Sequence, residues 1–150
     1  MRSSFRIIAV AAFAAGSLLT ANIASAAEPQ EMRQAVMKQV GGATGALSKI
    51  AKGEMAFDAA AAVAAFTTMN TVAKTYADLF PVGSETGFET EASPKIWENM
   101  DDFKAKVAKF EADTAAAAAM TFADAGAVGA ALGSVAANCK ACHEVYRVMK

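Results

Sequence analysis

Cys139-Lys140-Ala141-Cys142-His143, close to the C-terminus, limits what this chain can become more than any other stretch. The spacing is the attachment signature of a c-type haem. Two sulfurs must reach the two vinyl groups on one edge of a porphyrin and form thioethers. Residues three apart on a helix share a face, so both cysteines can do this together. The histidine comes four residues after the first cysteine, on that same face, where its imidazole can ligate the iron.

His143 is the only histidine and the two cysteines are the only ones in the chain. A redox dithiol would place its CxxC within a βαβ pattern, and no strand periodicity is visible. A structural zinc site wants about four ligands, and only three Cys or His side chains exist. The bland alternative for His143 is a satisfied polar residue. Free-thiol titration would expose a thiol oxidoreductase, and a haem stain would exclude a haem-free helical interaction protein.

Residues 1–26 read as a cleaved secretory signal, which would deliver the protein to the periplasm, where such haems are attached. Arg2 and Arg6 form the basic start, Ile7 to Leu19 the apolar stretch, and Ala24-Ser25-Ala26 the small-x-small cleavage site. As a membrane anchor the run is short and interrupted by Gly16, Ser17 and Thr20. No other segment is apolar and long enough to span a bilayer. Residues 27–150 then form one domain. Losing Arg2 and Arg6 from 14 basic residues leaves 12 against 15 acidic, a net charge of −3. No basic patch suggests nucleic acid, and abundant alanine suits packed helices.

The apolar positions define four helical seams. The first runs Met32, Val36, Val40, Ala43, Leu47, Ile50. The second runs Ala62, Phe66, Met69, Ala73, Tyr76, Phe80. The third runs Ile96, Met100, Phe103, Val107, Phe110, extending to Thr114 and Ala117. The fourth runs Val128, Leu132, Val135, Cys139, Cys142, Tyr146, Met149. Steps of three and four mark helices packed at a shallow angle, and four of them suggest an all-α, antiparallel four-helix bundle. Both cysteines fall on the inward seam, which puts the haem inside the bundle, with Ala136 and Ala137 leaving room beside it.

Boundary signals agree with this division. Pro29 suits a first helical turn. Pro81 should close the second helix, and Ser93-Pro94 should open the third. Val82 to Ala92 is the one long irregular connection. Gly53 marks a shorter turn with Asp58 a candidate N-cap, and Thr121 to Gly126 should hold the last turn. Gly41, Gly42 and Gly45 are discordant in the first helix, since each costs about 1 kcal/mol relative to alanine. They predict either a break there or a close approach to haem, a neighbouring helix or a partner subunit.

With the motif at the C-terminal end of such a pattern, the chain resembles the class II c-type cytochromes, the cytochrome c-prime family and its low-spin relatives. The most specific part is Cys139 to Arg147. Leu79-Phe80-Pro81, Ser93-Pro94-Lys95-Ile96-Trp97 and Arg33-Gln34-Ala35-Val36-Met37 also look like that family. The resemblance implies that Cys139 and Cys142 hold the haem and His143 is the proximal ligand. It implies Met37 on the distal side, Arg33 and Gln34 near the propionates or the haem edge, Trp97 packed near the macrocycle, and Arg147 by the proximal face. The plain alternative for Met37 is a core residue, with Met32 a nearby competitor.

The family includes two behaviours. A thioether sixth ligand favours ferrous iron and raises the potential, giving a low-spin carrier of single electrons and no enzyme. A Met37 that only crowds the pocket leaves a five-coordinate haem that binds nitric oxide or carbon monoxide. Arg33 and Gln34 resemble the five-coordinate group, and the turn from Ile50 to Glu54 resembles the low-spin group. Redox partner proteins follow from the first behaviour, and a homodimer through the first two helices from the family.

Overall fold

A computed structural model describes residues 28–148. The expected signal segment, and Met149 at the end of the fourth seam, lie outside the described residues. Helix α1 spans Pro29–Ala51, α2 Ala59–Tyr76, α3 Lys95–Glu98, α4 Met100–Ala118 and α5 Ala125–Tyr146, with a 3₁₀ turn at Ala77–Leu79. The fold is a four-helix bundle in which the short α3 precedes α4. Around the bundle, α1 lies between α2 and α5, and α4 lies across from it between the same two neighbours.

The ends follow local chemistry. Pro29 occupies the first turn of α1, where its missing N–H leaves no bond unmade. The Asp58 side chain accepts from the Ala61 amide at 3.0 Å and starts α2. Asp124 caps α5 by accepting from Ala127 at 2.8 Å, a cap that the apolar pattern around it had hidden. Gly53 has φ 73°, a left-handed conformation that ends α1 at little cost.

One apolar core cluster, with Leu47, Ile50, Phe66, Met69 and Val128 nearly free of solvent, fills the half of the bundle nearer the α1–α2 turn. There Phe66 stacks on Phe122 at 5.7 Å, and a methyl added at Gly129 of α5 would sit 3.3 Å from Ala51 Cβ of α1. A second cluster joins Phe80, Ile96, Phe103, Val107 and Tyr146. Its rings meet edge to face, Phe80 on Phe103 at 4.7 Å and Phe103 on Tyr146 at 5.4 Å, an arrangement favoured by the aromatic quadrupole.

Three expectations need correction. Helix α1 runs unbroken through Gly41, Gly42 and Gly45, and a Cβ built at any of them meets nothing within 4 Å. Packing of the rest of α1 therefore outweighs their poor propensity, and no neighbouring helix presses on them. Met32 is 41% exposed; Arg33, one position on, takes the inward place instead. The third helix is split at Asn99, which has φ −136° and ψ 53°. Its carbonyl still accepts from the Phe103 amide at 3.0 Å, and asparagine leaves helical geometry readily.

Polar side chains tie the helices together. Asn70 of α2 donates to the Glu111 carbonyl of α4 at 2.8 Å. Asn138 of α5 donates to Asp113 Oδ2 of α4 at 2.7 Å, and Lys109 reaches the same oxygen at 2.7 Å. The Asn138 amide first, and Lys109 second, hold the Asp113 carboxyl below its ordinary value of 3.8. A depressed carboxylate contributes stability above its unfolded pKa and loses it as pH falls through the folded one. The Asp113→Asn variant should therefore lose less stability than wild type on acidification below pH about 4, measured by urea midpoints across that range. The effect is small because the side chain is partly exposed.

Candidate functional site

Between α1 and α5, at the edge of the main apolar core, lies a cavity of about 710 Å³, within the size range of small-molecule and cofactor sites. Six segments supply its walls, α3 among them through Ile96. α5 contributes Asn138, Cys139, Cys142, His143, Tyr146 and Arg147. α1 contributes Gln30, Arg33, Gln34, Met37, Lys38 and Gly41. Tyr76 and Phe80 come from the end of α2 and the chain just past it. Phe103, Lys106, Val107 and Phe110 come from α4, and Glu89 to Ala92 from the long connection. Cys139, Cys142 and His143 thus meet Met37 across one space, and Arg33, Gln34 and Arg147 join them. Trp97 lies one layer back, in the second core cluster behind Phe80. Ala136 and Ala137 are not in the wall; Asn138 is.

Burial pushes the thiols of Cys139 and Cys142 up from their ordinary value. No group of three or more His, Cys, Asp or Glu side chains that could hold a metal gathers among the described residues. Burial first, then the Arg147 charge, lowers the His143 pKa. The neutral imidazole that ligates metals is thereby favoured.

Arg33 is 4% exposed. Its Nε donates to the Leu79 carbonyl at 2.9 Å, and Nη2 donates to the Ser84 carbonyl at 2.8 Å and Oγ at 2.6 Å. The guanidinium lies over the Phe80 ring at 4.4 Å and near Trp97 at 5.4 Å, a cation–π setting that a lysine would reproduce poorly. Among the described residues Nη1 has no partner, and neither does Oε1 of the buried Gln30. An unpaired buried donor costs about 1–3 kcal/mol, so this wall is built to meet an acceptor. Gln34, by contrast, is exposed and donates to the Glu89 carbonyl at 2.7 Å.

Several of these residues escape a reading by apolar period. Gln30 and Arg33 are polar residues buried on the inward face of α1, three apart, with the exposed Gln34 beside them and Met37 four beyond Arg33. Tyr76 had read as plain core. Burial pushes its phenol well above the ordinary range, so it remains a neutral O–H.

The family model described as Cytochrome C' matches residues 28–147. The chain belongs to the cytochrome c-prime family. It is 50% identical over 132 residues to cytochrome c-556 of Agrobacterium fabrum, covering 88% of this chain and 89% of that one. To a cytochrome c' of Rhodopseudomonas palustris it is 39% identical over 118 residues, 79% of this chain and 80% of that one. The solved structure of cytochrome c' from Rhodopseudomonas palustris superposes with a TM-score of 0.78 at 36% identity, covering 83% of this chain and 99% of the other.

Membership makes this chain a c-type cytochrome with haem c as its covalently bound, iron-containing cofactor, and the carrier reading agrees with the c-556 relatives. The walls suit such a group. An apolar, aromatic interior accepts the ring, two thiols three apart share one wall, and the unpartnered Arg33 Nη1 is a donor suited to a carboxylate. No helix among the described residues is long and apolar enough to cross a membrane.

Proposed function

We propose that this cytochrome carries single electrons between redox proteins in the periplasm and turns over no substrate. In this reading Cys139 and Cys142 form the thioethers, His143 is the proximal iron ligand, and Met37 is the sixth. When bound, haem supplies a one-electron ferric–ferrous couple. The residues around it do the rest. Phe80, Phe103, Val107 and Phe110 keep water from the ring. Arg33, held between Phe80 and the Ser84 carbonyl, offers Nη1 to a propionate. Met37 favours the reduced state as a thioether ligand. Residues 1–26 serve export and are removed.

The observation that carries this reading is that Met37 of α1 and His143 of α5 line one and the same cavity. The test is an optical spectrum of the reduced, matured protein with and without carbon monoxide. A low-spin spectrum that ignores carbon monoxide is expected. A high-spin spectrum that changes on adding the gas would instead support binding of nitric oxide or carbon monoxide as the role. The open space around Gly42 and Gly45 leaves room for a second copy against α1, and sedimentation would reveal the homodimer.

A further inference from the structure

The connection between the 3₁₀ turn and α3 bridges the two walls at the open end of the bundle. Toward α1, the Gln30 side chain donates to the Ser84 carbonyl at 3.1 Å and the Thr86 carbonyl at 2.8 Å. Arg33 and Gln34 reach Ser84 and Glu89, as described. Toward α5, the connection pairs with the chain leaving that helix. Ala92 and Arg147 form an antiparallel bridge. The Ser93 amide donates to the Tyr146 carbonyl at 2.9 Å, and the Val148 amide donates to the Glu91 carbonyl at 2.8 Å. Arg147 Nε meets Glu91 Oε2 at 2.6 Å.

No hydrogen bond among the described residues joins α1 directly to α5. The two touch closely near Ala51 and Gly129, and further along both line the cavity. At the open end, the polar ties between them run through residues 84–93. Met37 is carried by α1 and His143 by α5.

We propose that residues 84–93 are a strap that sets the spacing of these two walls, and so holds Met37 at ligating distance from the position opposite His143. This rests on the carrier reading above. A metal–thioether bond is short and directional, and a site loosened by about 1 Å loses function readily. The positioning residues are then Gln34 at one end of the strap and Glu91 with Val148 at the other.

The test uses the matured haem protein. Val148→Pro removes the amide that donates to Glu91, and Arg147, with φ −111° and ψ 132°, already has the extended backbone a following proline requires. Gln34→Ala cuts an exposed tie at the α1 end. The double variant should gain about fivefold in apparent carbon monoxide affinity, the weight of one net hydrogen bond, and its reduction potential should shift downward. Lys109→Gln, which removes an ion pair elsewhere on α4, should move neither. A merely structural strap would lower the unfolding midpoint alone. If wild type and double variant both refuse the gas equally, the strap is overturned. A wild type that already binds it fully overturns the carrier reading, and the strap falls with it.

Discussion

Replacing Cys139 and Cys142 together by alanine should yield a polypeptide with no haem stain after denaturing electrophoresis and no cooperative unfolding transition at room temperature. No other cysteine in the chain can form a thioether. The stability argument comes from the cavity. Its walls surround about 710 Å³ that the haem fills when attached. Without it Phe80, Phe103, Val107 and Phe110 lose the partner they pack against, a loss worth a large fraction of a domain's stability of about 5–15 kcal/mol. The Arg33 Nη1 left without an acceptor adds to it. Circular dichroism on heating should show a broad, shallow change where wild type shows a sharp one. A sharp transition near the wild-type midpoint would mean that the bundle does not depend on its cofactor.

Met37→Ala has the second large effect, and it separates ligation from folding. Met37 is partly buried and packs at the margin of the main core cluster, so truncation should cost only about 1–2 kcal/mol of stability. The reduced protein should nevertheless become high-spin and bind carbon monoxide. If the thioether occupies the iron 99% of the time, its loss should raise apparent gas affinity about a hundredfold. The potential should fall, because the ferrous state loses the ligand that favours it. Met32→Ala is the internal control. Met32 is 41% exposed and should leave spectrum, potential and affinity unchanged.

Much of the architecture was legible because apolar side chains recur with the helical period wherever helices pack. Leu47, Phe66, Phe103 and Val128 fall on the expected seams and are almost free of solvent. The seams misled where polar side chains face inward. Met32 had been placed inside because its apolar character fits, yet Arg33 takes the interior, with its charge shared among Leu79 and Ser84 carbonyls and two aromatic rings. The Asn99 interruption was hidden because an asparagine inside a long amphipathic run carries little signal. The cysteines and histidine stood out through scarcity and spacing. The connection at 84–93 read only as irregular, since its role depends on backbone carbonyls and amides, which the one-letter sequence does not distinguish.

The central claim is that one haem is joined through sulfur to α5. Intact-mass spectrometry under denaturing conditions, on protein secreted from a host that matures c-type cytochromes, tests it directly. The account predicts the mass of residues 27–150 plus one haem. A polypeptide mass alone would contradict it.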